Sequence, residues 1–268
     1  MGGIEMAYEY VTLEKEQGVA VITLNRPDRL NALGTRILND LTAAIDEVSG
    51  DEEVRVGVFT GSGRGFCAGA DLVEPSPFAA EERWLRVKPM ARYGNLMLRL
   101  RNLEKPTIAA VNGIAAGGGF SLAMACDIRI ASEDARFSSI FVRRALVVDM
   151  GLSYLLPRAV GTSKALELMY TGDIIDAQEA KEIGLVSKVV PHDDLPGVTK
   201  ELATRIANGP PIAIELTKKA VYAAQETNNF ASALSYESWA QEVCAASEDA
   251  QEGVRSFLEK REPVYKGK

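Results

Sequence analysis

Histidine is almost missing from this chain: His192 is the only one in 268 residues. A histidine-based metal site needs several imidazoles, and a Ser-His-Asp triad needs one beside its nucleophile. His192 stands in Pro191-His192-Asp193-Asp194, a polar loop sequence, and reads as a solvated surface residue. Neither a metal site nor a triad is therefore expected. Cysteine is scarce as well. Cys67, Cys126 and Cys244 are widely spaced and show no metal-ligand pattern. They fit a reducing compartment, and the expected location is the cytoplasm. Positive charge is in deficit, with 30 Lys and Arg against 37 Asp and Glu and a net charge of −7. Nucleic-acid binding draws on a strong positive field, so no nucleic-acid partner is expected. No run of about 18 apolar residues occurs, so no membrane-spanning helix is expected. The first ten residues lack a basic region followed by an apolar core, so no secretory leader is expected.

What is present is an ordinary globular composition, 47% hydrophobic and 25% charged. The length suits one large domain, or a core domain with a helical appendage. The chain is organised around residues 105–127. Ile108 to Val111 is an apolar run after a proline, the pattern of a strand buried on both faces. Gly117, Gly118 and Gly119 then allow a sharp turn and leave no side chain in the way of a ligand. Residues 121–126 are small and apolar, so the helix that follows is buried. The first N–H groups of such a helix have no partner inside it and favour negative charge. Such a turn suits a developing oxyanion; as a bare pattern it equally suits tight helix–strand packing.

Around this centre, residues 8–14 alternate as a half-buried strand, and residues 19–24 form its antiparallel partner. A helix starting from Thr35 as its N-cap places Ile37, Leu38, Leu41, Ala44, Ile45 and Val48 on one face. Residues 54–60 are a strand, and residues 61–72 a second glycine-rich turn. Residues 73–89 carry three prolines, and their first half is expected to be a mobile loop over the site. Helix resumes over 91–103. Residues 128–131 and 185–190 read as strands, 163–170 and 177–182 as short helices. From residue 195 the pattern is helical almost throughout, over 195–208, 211–224, 230–246 and 249–260. The composition shifts near Pro191, which divides an α/β core, residues 1–190, from a helical region, residues 191–268.

Three stretches together resemble the crotonase, or enoyl-CoA hydratase/isomerase, superfamily. They are Asn25-Arg26-Pro27 with Asn31-Ala32-Leu33, the run Gly63 to Leu72 containing Cys-Ala-Gly-Ala-Asp, and Lys105 to Asp127. The segment Glu252 to Arg261 also matches. The resemblance implies an α/β spiral of strand–strand–helix units with a C-terminal helical region that packs in trimers, often paired into hexamers. It implies acyl-CoA thioester substrates, and no cofactor beyond the coenzyme A of the substrate itself. It puts the oxyanion hole on the backbone N–H groups of Ala70 and Gly118. It puts the adenine near Ala68 and the nucleotide against the loop with Arg29 and Leu30, and it adds Ala32 to the substrate-binding set. Asp71, Leu72, Gly117 and Phe141 complete the implied substrate-binding set. Phe257 and Lys260, three apart on one helix face, match positions that reach a neighbouring subunit's coenzyme A.

The departures from the family pattern carry more information. Hydratases of this kind use two glutamates on water. Those positions fall on Ser121 and Phe141 here, and neither is a carboxylate. Asp149, in Leu146-Val147-Val148-Asp149-Met150-Gly151, instead matches the acid/base aspartate of the family's isomerases, including dienoyl-CoA isomerases and ring-epoxide isomerases of phenylacetyl-CoA breakdown. Apolar neighbours would raise the pKa of such a carboxyl and let it accept and return a proton near neutral pH. An acyl-CoA double-bond isomerase is the favoured expectation. A hydratase or hydrolase using Asp149 on water is the runner-up, and a catalytically silent CoA-binding scaffold is the reading from another class. Arg143 and Arg144 read as surface charges.

Overall fold

The computed structural model describes residues 8–74, 83–227 and 229–268, with residues 83–90 as backbone only. The chain opens with a hairpin of β1 (Val11–Glu16) and β2 (Val19–Leu24). Gln17 and Gly18 turn it with φ of 51° and 78°, the left-handed pair that matches strand twist. The first strand begins later than its alternation predicts. Asp40 accepts hydrogen bonds from the N–H groups of Glu9 and Tyr10 and draws that backbone onto α1 (Thr35–Gly50). The N-cap of α1 is Gly34, not Thr35; Glu74 accepts a 2.8 Å hydrogen bond from the Thr35 N–H. All six apolar residues expected on the inner face of α1 are buried.

Strand–strand–helix units then follow. The first is β3 (Val56–Gly61), β4 (Gly65–Cys67) and α2 (Arg83–Asn102). The second is β5 (Thr107–Val111), β6 (Ile114–Ala116) and α3 (Gly118–Ala125). The third starts with β7 (Ile128–Ser132) and β8 (Arg136–Ser138), then runs through a 3-10 turn (Ile140–Arg144) to α4 (Leu152–Val160) and α5 (Thr162–Thr171). After it come β9 (Ile174–Asp176), α6 (Ala177–Glu182) and β10 (Lys188–Val190). The first strand of each unit joins one sheet, in the order β1-β2-β3-β5-β7-β10; the second joins another, β4-β6-β8-β9. This is the expected α/β spiral. The second sheet is absent from the sequence expectations, because three-residue strands are too short to show a period. Helix α2 starts eight residues earlier than expected, at Arg83, and takes in the second half of the 73–89 stretch; the expected mobile loop falls largely on residues 75–82, which lie outside the described residues.

Helix α7 (Leu195–Ala207) lies on the outer face of the larger sheet, with Leu195, Ala203 and Ala207 against Val56, Val58, Ile108 and Ile130. Then come α8 (Pro211–Thr227), α9 (Phe230–Ala245) and α10 (Glu248–Glu259). The Lys218 ammonium of α8 pairs with Asp127 at 2.9 Å and ties this region to the end of α3. No helix among the described residues is long and apolar enough to cross a membrane.

Candidate active site

Two glycine turns meet because their strands are neighbours. Strands β4 and β6 are parallel and paired, Gly65 with Ile114 and Cys67 with Ala115. Parallel neighbours end on the same side, so the turns that follow them lie together. Gly69 (φ 93°) and Gly117 (φ 52°) both use backbone that other residues resist. The contact leaves no room for side chains. A β-carbon on Gly69 would stand 2.7 Å from the Ala116 carbonyl oxygen and 3.3 Å from the Gly118 nitrogen.

The N–H groups of Ala70 and Gly118 are left over by this arrangement. Ala70 bridges Leu33 in parallel register, using the Leu33 N–H to the Gly69 carbonyl at 2.7 Å and the Asp71 N–H to the Leu33 carbonyl at 3.1 Å. That pattern turns the Ala70 N–H away from the bridge. Gly118 is the first residue of α3, so its N–H has no helical acceptor and lies at the positive end of the helix dipole. Among the described residues neither N–H has a backbone acceptor.

Two asparagines hold the first turn. Asn31 is buried at φ 57°; its side chain accepts from the Arg26 N–H at 2.8 Å and donates to the carbonyls of Ser62 at 3.0 Å and Gly65 at 2.8 Å. Asn112 accepts from the Gly61 N–H at 3.2 Å and donates to the Gly63 carbonyl at 2.9 Å. The Asp71 carboxylate pairs with Arg26 at 2.6 Å. Burial pulls its pKa up, but the Val73 N–H and the Arg26 guanidinium hold it below the usual range.

Asp149 approaches from the other side. Its carbonyl accepts from the Ser121 hydroxyl at 3.1 Å and the Leu152 N–H at 3.0 Å, and Met150 (φ 52°) and Gly151 (φ 79°) turn the chain into α4. The buried Oδ1 of its carboxyl has no hydrogen-bond partner among the described residues. Burial raises its pKa above the ordinary aspartate value.

A cavity of about 390 Å³ brings together Ala68, Ala70, Asp71, Leu72, Gly117, Gly118, Phe141 and Asp149 from the expected set. Arg29, Leu30 and Ala32 do not line it. Leu30 supports it from behind, its carbonyl accepting the Ala68 N–H at 2.9 Å. Phe257 and Lys260 also lie outside it, at the far end of the chain. They do not share a helix face as expected: α10 stops at Glu259, and Lys260 caps it in a left-handed conformation. The cavity also contains Tyr93, Glu74 and Arg144, none singled out in the sequence as site residues. Leu96 and Leu100 mark the buried face of α2, but no local pattern says that Tyr93 points past it to the site. Arg143 is the surface charge expected, paired with Asp173 at 3.0 Å; Arg144 is at the cavity. A larger hollow of about 560 Å³, between the β1–β2 hairpin and α7, contains none of the expected site residues.

Chemically, two unpaired N–H groups at a turn can hold an anionic oxygen, and a raised carboxyl in the same cavity can move a proton. The family model for enoyl-CoA hydratase/isomerase matches residues 14–268. The chain belongs to that family. It is 41% identical to the short-chain-enoyl-CoA hydratase of Clostridium acetobutylicum over 258 residues, 96% of this chain and 97% of that protein. It is 38% identical to the 1,2-epoxyphenylacetyl-CoA isomerase of Escherichia coli over 264 residues, 97% of this chain and 99% of that one. The crystal structure of an enoyl-CoA hydratase from Bacillus anthracis superposes with a TM-score of 0.92 at 37% identity, covering 97% of this chain and 100% of that chain. Hydratase and isomerase names thus both occur among relatives of nearly equal identity.

Proposed function

We propose that this family member is an enoyl-CoA isomerase that moves a double bond within an acyl-CoA thioester. The observation that carries the reading is the composition of the cavity. Its raised, unpartnered carboxyl is Asp149, while Phe141 in its lining and the buried Ser121, which does not line it, stand where a hydratase's glutamates would be. In the proposed reaction the Asp149 carboxylate takes a proton from the α-carbon of a β,γ-enoyl thioester. The C–H electron pair moves onto the carbonyl, and the N–H groups of Ala70 and Gly118 hold the resulting enolate oxygen. The enolate then collapses through the conjugated double bond, and the γ-carbon takes the proton back from Asp149. The α,β-enoyl product has the same atoms as the substrate. The chemistry draws on no metal or redox group.

In the same reading the nucleotide of coenzyme A lies along Ala68 and the loop of Arg29, Leu30 and Ala32. The exposed apolar residues of the last helices, among them Trp239, Val254, Phe257 and Leu258, then support a trimer or a pair of trimers, with Phe257 and Lys260 reaching a neighbour's coenzyme A. The reducing cytoplasm is the proposed location, on the strength of three free cysteines.

One observation favours a hydratase or hydrolase instead. Glu74 lines the same cavity and adds a carboxylate to those of Asp149 and the Arg26-paired Asp71. Its Oε2 is engaged in capping α1, which places it in a structural role in the isomerase reading. The test is product analysis in water enriched in 18O and deuterium, with β,γ- and α,β-enoyl-CoA substrates. Isomerisation expects a shifted double bond, with or without deuterium at the α- or γ-carbon, and no 18O. A 3-hydroxyacyl product carrying 18O would establish the hydratase reading. Hydrolysed acid carrying 18O would establish the hydrolase.

A further inference from the structure

Ser121 lies in the first turn of α3, fully buried, and its hydroxyl reaches two backbone carbonyls. One is Asp149 at 3.1 Å; the other is Gly117 at 3.3 Å. The first belongs to the residue that carries the cavity's unpartnered carboxyl. The second belongs to the turn that presents the Gly118 N–H. A serine hydroxyl has a single proton, so the two carbonyls share it.

We propose that Ser121 is a positioning residue, whose hydroxyl ties the Asp149 turn to the glycine turn and sets where the carboxyl stands relative to the thioester oxygen. The inference rests on the reading of Asp149 as proton shuttle. The Asp149 turn needs such a tie. Met150 and Gly151 are consecutive left-handed residues, and the carboxyl has a buried oxygen with nothing to anchor it. The other bond to the Asp149 carbonyl, from Leu152, is internal to the turn and cannot fix its distance from α3. The Ser121 hydroxyl spans 28 positions in sequence and joins the two halves of the site. Met150 adds a packing contact across the same gap, since a β-carbon on Gly118 would stand 2.8 Å from its sulfur. A contact of a flexible thioether does not specify position as a hydrogen bond does.

Ser121→Ala tests this cleanly, because it strands no buried acceptor. The Asp149 carbonyl keeps the Leu152 N–H at 3.0 Å, and the Gly117 carbonyl keeps the residue 121 N–H at 3.0 Å. With trans-3-hexenoyl-CoA as probe, Ser121→Ala is expected to lower kcat by about 10- to 100-fold, the scale for misplacing a reacting group by about 1 Å. KM should stay within about threefold. The acid limb of the kcat/KM profile should move to lower pH, because a loosened turn admits water to a carboxyl that burial now holds high. Among the described residues, the other titratable groups lining the cavity with Asp149 are Tyr93 from α2, Glu74 and Asp71 from the loop after β4, and Arg144 from the 3-10 turn. Asp149→Asn identifies the limb by abolishing it. Ser121→Cys, similar in size with a weak S–H donor, should fall between wild type and Ser121→Ala, and serves if Ser121→Ala does not fold. A lower Tm with kcat and the limb unchanged would make the hydroxyl merely structural and overturn the proposal alone. Full turnover by Asp149→Asn would overturn the shuttle, and this proposal with it.

Discussion

Replacing Asp149 by Asn should cripple turnover and stabilise the fold at the same time. The shape is kept, the charge is lost, and the amide cannot act as a base. General acid–base groups are worth about 10²–10⁴ in rate, so turnover of a β,γ-enoyl-CoA should fall by about that factor with binding largely retained. The stability effect follows from the same burial. In the unfolded chain an aspartate ionises near 3.9. In the folded chain desolvation raises the pKa of Asp149, so the folded state binds more protons between the two values. Stability contributed by the protonated form is fully present below the unfolded value and is lost as pH rises through the folded one. The neutral amide does not undergo that loss. Leaving a buried polar oxygen unsatisfied costs about 1–3 kcal/mol, and more when it is charged. The Asp149→Asn variant keeps a buried polar group there and removes the charge, so a gain of about 1 kcal/mol is expected at pH 8. For a chain of this length that is roughly 2 °C in Tm. Urea denaturation and thermal melts at pH 8 and at pH 4 are the assay. The gain should be present at pH 8 and shrink toward zero at pH 4. An Asp149→Asn protein that melts lower than wild type at pH 8, or turns over normally, would refute the reasoning.

Gly119→Ala should not yield a native fold, because its β-carbon would stand 2.0 Å from the Cys67 carbonyl oxygen, a backbone atom that cannot yield; soluble yield and circular dichroism report it. Asn31→Ala removes three hydrogen bonds that hold the glycine loop and should cost about 3 kcal/mol in urea denaturation, at about 1 kcal/mol per bond. Asp71 has a depressed pKa, so its stabilisation is present above the ordinary aspartate value and is lost as pH falls through the lower folded one. Arg26→Met should therefore destabilise the protein at pH 7 and shrink that acid-side loss, read by melts from pH 7 to pH 3. Sedimentation at micromolar concentration should give a trimer or hexamer, and a monomer would refute the assembly reading.

The sequence by itself determined the elements whose side chains repeat over several turns or pairs. The six inner residues of α1 were legible because each helical turn returns an apolar side chain to the same face. The strand–glycine–helix at 107–125 was legible because backbone strain confines such turns to glycine, and the helical run after residue 195 because its periodicity is long. Asp149 was legible from the family pattern and its apolar flanks. The tertiary structure alone decided what depends on strands or loops meeting across the chain. Strands of three residues have no period to read, so β4, β6, β8 and β9 exist only through their pairing. That pairing sets the two glycine turns side by side and leaves the N–H groups of Ala70 and Gly118 without backbone acceptors among the described residues. Asn31 and Asn112 show their roles only where the loops they bridge come together. Ser121 reads as a missing glutamate in the sequence; in the fold it is a link to a carbonyl 28 residues away. Tyr93, Glu74 and Arg144 reach the cavity from three separate segments, and no local pattern encodes where such segments converge.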